Sequence, residues 1–156
     1  MNCKDFNAII EYCRTVGNVM NEAAMSHIGP QPMPISIDEY KARQYRLTSQ
    51  LRPYDVLIVC AAEESTHSND VHYPYRTMSD MLYFVGWTEP EAVFVLRCVE
   101  GSWISTLFVQ PKDTLKEIWE GRRPGVEGAL EHWPIDESHS VNEMTDILSS
   151  FVDDSH

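Results

Sequence analysis

The chain has 156 residues, 43% of them hydrophobic, which suits one soluble domain with a buried core and not a disordered chain. Twelve Lys and Arg against 24 Asp and Glu leave a net charge of −12, the wrong sign for nucleic acid or an anionic membrane as partner. No apolar run approaches the ~18 residues of a membrane span, and Met1 to Ile10 lacks an apolar stretch, so neither a span nor a secretory leader is expected.

Residues 4–26 are expected to form a helix, with Phe6, Ile9, Ile10, Cys13, Met20 and Ala24 near one face at 3.6-residue spacing. Gly29-Pro30 stops it. Residues 1–35 therefore read as an N-terminal helical extension, ahead of a domain over 36–156. Ser36 with Glu39 forms a capping box for a second helix, each side chain satisfying a backbone N–H of the other. Tyr40, Leu47 and Leu51 supply its buried stripe; Lys41, Arg43, Arg46 and Arg52 face outward. Val56 to Ala61 is a continuous apolar run, the pattern of a strand covered on both faces. A polar loop, 63–72, follows. Cys60 and Cys98 fall in apolar runs and no CxxC is present, so the cysteines read as reduced core thiols of a cytoplasmic protein.

Two dense apolar runs come next, Met81 to Val85 and Ala92 to Leu96. Both are short, aromatic and bounded by turn formers. Both read as buried strands of one hairpin, with Phe94 central and Asp80, Glu89, Glu91 and Arg97 at strand ends. Pro74 keeps Tyr73 to Arg76 out of a strand interior. Trp103 to Val109 alternates as a further strand, 113–119 reads as a short helix and 121–128 as a loop. Ser140 with Glu143 is a second capping box, and Val141, Met144, Ile147, Leu148 and Phe151 form the stripe of the last helix. The order implies an α/β domain, a mixed sheet flanked by helices.

The succession Ser68-Asn69-Asp70, Tyr73-Pro74-Tyr75-Arg76, Ser79-Asp80, Leu82-Tyr83-Phe84, Gly86 and Glu89-Pro90-Glu91-Ala92 resembles the N-terminal domain of aminopeptidase P, the Xaa-Pro aminopeptidases. A second block agrees in order and spacing: Leu107-Phe108-Val109, Glu117-Ile118-Trp119, Gly121-Arg122-Arg123 and Gly125. The resemblance runs from about Tyr40 to about Phe151. It implies a creatinase/prolidase-type N-terminal fold with a ribonuclease H-like motif. In the family that domain continues with another strand and helix, so the sheet here is expected to be short of one element. It further implies a reaction, release of an N-terminal residue preceding proline. That reaction belongs to a separate catalytic pita-bread domain holding Mn²⁺ with Asp, Asp, His, Glu and Glu. No stretch of this chain resembles that domain. The chain is therefore expected to be inactive alone and to hold no metal, with Mn²⁺ confined to the catalytic domain.

By resemblance, Asp70, Tyr73 and Arg76 line the substrate cleft, and Trp119 projects toward the active site of a neighbouring subunit. From the residues alone, Asp70 is also an Asx-turn residue, and Trp119 a half-buried helix-end anchor. His67, Asp70 and His72 are zinc-ligand types, but their spacing matches no standard site and a fourth ligand is lacking, so they read as solvated loop residues. Arg122 and Arg123 read as a solvated pair, Asp136-Glu137 and Asp153-Asp154 as surface charge. No Walker loop, GxSxG or HExxH is present. The expected function is that of the non-catalytic N-terminal domain of a Mn-dependent Xaa-Pro aminopeptidase, shaping the cleft and assembling subunits. The alternative is a free-standing binding or assembly module that has lost the enzyme. Expected partners are further copies of the chain, as a dimer or tetramer, or a catalytic pita-bread domain. A proline-containing peptide would bind only beside that domain.

Overall fold

The computed structural model describes residues 35–62, 66–68, 71–72, 75–113, 117 and 123–153. The helix expected over 4–26, and most of the one over 113–119, lie outside them.

Helix α1 (Ile37–Thr48) starts at its expected cap, with Ser36 Oγ accepting from Glu39 N at 3.3 Å. The box closes only by half. The Glu39 carboxylate turns to Arg43 (3.0 Å) and Arg46 (3.3 Å) instead. The buried residues are Tyr40, Gln44 and Thr48, with Leu47 packed at the core's margin. Gln44 tolerates burial because its amide donates to Phe84 O (2.9 Å) and Pro134 O (3.0 Å). Arg43 does not face outward: its guanidinium lies 4.5 Å from the Tyr83 ring centroid and 5.3 Å from that of Tyr40.

Strand β1 (Leu57–Cys60) is followed by β2 (Thr66–Ser68) and β3 (Val71–His72), a small antiparallel ribbon. Helix α2 (Ser79–Phe84) corrects the first apolar run, which is helical and not a strand. Met81 and Val85 are both fully buried, whereas Tyr83 between them is 47% exposed. A strand would put all three on one face; a helix puts the first and last together. So short a run does not settle the choice by periodicity. Gly86 ends α2 at φ 71°, its N–H bonding Met81 O and Leu82 O. Asp80 accordingly sits in a helical first turn, not at a strand end.

The hairpin is β4 (Val93–Val99) with β5 (Ser102–Val109), joined through Glu100 and Gly101. Both turn residues have positive φ (49° and 83°), the type I′ pattern that matches strand twist. Arg97 lies within β4, not at its end. Helix α3 (Gly125–His132) replaces the second half of the loop expected over 121–128. Strand β6 (Glu137–Ser140) then runs parallel to β5. Its sequence, Glu-Ser-His-Ser, carries no apolar pattern, so only the ladder reveals it. Ser140 Oγ accepts from Asn142 N (3.2 Å) and not from Glu143, opening a 3-10 turn (Val141–Glu143) in place of a second capping box. Helix α4 (Met144–Asp153) follows.

The sheet order is β1-β4-β5-β6, antiparallel except for β5 with β6, a mixed sheet as expected. Alternate residues face opposite sides. Phe94, Leu96, Leu107 and Val109 pack with Leu57 and Val59 against Met81 and Val85 of the α2 segment and Ala129 of α3. Val95 and Phe108 meet Leu148 of α4, with Ile58, Val93, Met144, Ile147 and Phe151 around them. The continuous run in β1 is thereby explained: Leu57 and Val59 serve one core, Ile58 the other.

Candidate functional site

Strands β1, β5 and β6 run the same way, so their carboxyl ends share one pole of the sheet with the start of β4. Ligands of open α/β sheets collect at such ends. A polar rim stands there. The Tyr75 hydroxyl donates to Ala62 O at 3.0 Å, with Glu89 O 3.4 Å away. One ring thus ties the segment after β3 to the end of β1 and the approach to β4. Arg76 follows, exposed, and Thr77 after it is buried. Glu91 adopts φ 52°, a left-handed conformation that costs a non-glycine residue energy. Its carboxylate accepts from Gln110 Nε2 at 2.6 Å, from just beyond β5.

Of the site residues expected from sequence, Arg76 is among the described residues, while Asp70, Tyr73 and Trp119 lie outside them. His67 and His72 fall on the two strands of the β2–β3 ribbon. Among the described residues, no three His, Cys, Asp or Glu side chains stand together as metal ligands. No helix among them is long and apolar enough to cross a membrane.

Asp136 and Glu137 are not loose surface charge. Asp136 accepts from Lys41 Nζ (2.8 Å), Ser105 N (2.8 Å) and Ser105 Oγ (2.5 Å). Burial pushes its carboxyl up, but the Lys41 ammonium and the two Ser105 donors outweigh that and hold it below its ordinary value of 3.8. Glu137 accepts from Arg97 (3.2 Å) and Thr106 Oγ1 (2.9 Å), and the Arg97 guanidinium also lies 3.8 Å from the Phe151 ring centroid. Ser105 is 1% exposed and the three side chains satisfy one another, so the Lys41–Asp136–Ser105 group is a clasp between α1 and β5. The sequence reading missed these contacts and the roles of Tyr75 and Gln110. Their partners lie 13 to 95 positions away, and no local pattern marks them.

A family model described as "Aminopeptidase P, N-terminal domain" matches residues 40–156. The Xaa-Pro aminopeptidase of Escherichia coli (strain K12) is 39% identical over 115 residues, covering 73% of this chain and 26% of that protein. Intermediate cleaving peptidase 55 of Saccharomyces cerevisiae is 36% identical over 121 residues, covering 76% and 24%. Among solved structures, the low pH form of E. coli aminopeptidase P is similar with a TM-score of 0.72 and 38% identity, over 75% of this chain and 27% of that one. The same enzyme with the inhibitor Pro-Leu gives 0.70 and 39%, over 73% and 26%. The chain spans about a quarter of the length of these relatives, and what it matches is their N-terminal domain.

Proposed function

Since this chain belongs to the aminopeptidase P N-terminal-domain family, we propose that it serves as the non-catalytic domain of a Xaa-Pro aminopeptidase. Its work is to shape the substrate cleft and bring subunits together. The observation that carries the reading is coverage: the match extends over residues 40–156 yet amounts to about a quarter of each relative.

On this reading the rim of Tyr75, Arg76, Glu91 and Gln110 forms one wall of the cleft, with Asp70 and Tyr73 beside it and Trp119 directed to a neighbouring subunit. Hydrolysis of the X–Pro bond, and the Mn²⁺ that activates water for it, belong to a catalytic portion. Among the described residues, no three His, Cys, Asp or Glu side chains are grouped to hold that metal. A ligand of the Pro-Leu kind, which inhibits the E. coli relative, fits a cleft for short proline-containing peptides. Cys98, a half-buried thiol in β4, is of the kind a reducing compartment preserves, and the cytoplasm is where we place the chain.

The test is a graft. This chain replaces the matching N-terminal part of the E. coli enzyme, and release of the first residue from an X–Pro peptide is followed with Mn²⁺. The grafted protein should turn over and the isolated chain should not. A folded but inactive graft, or sustained turnover by the chain alone, sinks the proposal; the first result would favour a free-standing binding module.

A further inference from the structure

We propose that Arg76 binds the carboxylate of a short peptide and that Tyr75 positions it for that task. The inference rests on the cleft reading above for its choice of ligand, and on described residues for its geometry.

Arg43, Arg46, Arg52 and Arg97 each direct their guanidinium to a carboxylate of the chain. Among the described arginines, Arg76 stands apart: its side chain is exposed and makes no hydrogen bond or ion pair. That is unusual in a chain with 24 acidic and 12 basic residues, where a counter-charge is seldom far away. Glu91, an acid at the same pole, is turned onto Gln110 instead.

The side chain is open to solvent, but its base is fixed. On one side, the Tyr75 hydroxyl holds Ala62 O at 3.0 Å. On the other, Thr77 is 5% exposed, and Met78 O accepts from Leu82 N in the first turn of α2. Consecutive Cα atoms are about 3.8 Å apart, so anchors on both neighbours confine where Arg76 begins. A guanidinium on a fixed base loses less freedom on binding than one on a mobile loop. Its fork of N–H donors matches the two oxygens of a carboxylate. The C-terminus of a short peptide presents that group close to the residues being recognised, whereas a long peptide or an amide does not. At an exposed position the preference for free acid over amide is modest, roughly threefold to tenfold.

Arg76 and its anchors lie wholly within this chain, so weak binding is expected without the catalytic domain, a departure from the expectation that such a peptide binds only beside it. The experiment titrates the whole chain with Pro-Leu and, separately, with Pro-Leu amide. The Arg76 Nε–H resonance is followed by NMR and identified by its loss in Arg76→Lys. The expected result is a saturable shift with the free acid and a response to the amide roughly threefold to tenfold weaker in affinity. A second expectation concerns Tyr75→Phe, which keeps the ring and removes the hydroxyl: it should weaken the free-acid response while leaving the fold intact. Equal shifts with both ligands, or no shift with the free acid at millimolar concentration, overturn the proposal. An inactive graft would sink the aminopeptidase reading and leave this shift standing, so the two failures are separable.

Discussion

Lys41 Nζ lies 2.8 Å from Asp136 Oδ1, joining α1 to the entry of β6 across 95 positions of sequence. The Asp136 carboxyl is held below its ordinary 3.8, burial pulling the other way but losing to Lys41 and Ser105. A group depressed in the fold adds stability above its unfolded value, and that contribution is lost as pH falls through the folded one. Asp136→Asn should therefore be less stable than the parent near neutral pH, by about 1–2 kcal/mol. Both side chains are well exposed (37% and 47%), which keeps the figure small. Urea unfolding across a pH series should show the gap closing below 3.8. A gap that stays constant to low pH would mean that the charge of Asp136 contributes nothing.

Gln44 bonds two carbonyls from inside the fold. Gln44→Leu fills similar space but leaves Phe84 O and Pro134 O without that donor. Chemical denaturation should register a loss of about 1–3 kcal/mol. A neutral result would show that water replaces the amide.

Phe94 is fully buried in β4, in the larger core. Phe94→Ala should remove about 3–5 kcal/mol, much of a small domain's stability. A loss below about 1 kcal/mol would be incompatible with a closed core around it.

Glu100 holds φ 49° at the first position of the β4–β5 turn. Asn adopts that conformation more readily than Glu and is favoured in type I′ turns. Glu100→Asn is expected to raise stability by roughly 0.5–1 kcal/mol, seen as a higher melting temperature. No gain, or a loss, would place the turn's stability elsewhere.

The proposed role in assembly predicts more than one copy per particle, a dimer or a tetramer. A net charge of −12 opposes association, and salt screens that repulsion. Light scattering at low and high salt should show an oligomer that persists or strengthens as salt rises. A monomer under both conditions, at high protein concentration, removes assembly from the proposed function.

Local chemistry was enough for several elements. Ser36 marks the start of α1, the unbroken run at Val56 to Ala61 marks a strand covered on both faces, and Met144, Ile147, Leu148 and Phe151 mark the stripe of α4. The motif around Tyr73-Pro74-Tyr75-Arg76 and Glu89-Pro90-Glu91-Ala92 carried the family, which the match over 40–156 then showed. Packing decided the rest. Met81 to Val85 is five apolar residues, too few for periodicity to separate helix from strand, and its form follows from where Met81 and Val85 find core. Strand β6 has no apolar residue and exists through its ladder with β5. Asp136, Gln44 and Tyr75 look like ordinary polar residues until their partners arrive from distant segments. Hydrogen-bond partners far apart in sequence leave no periodic trace, so the clasp at Ser105 and the anchored base of Arg76 became visible only when the sheet brought those segments together.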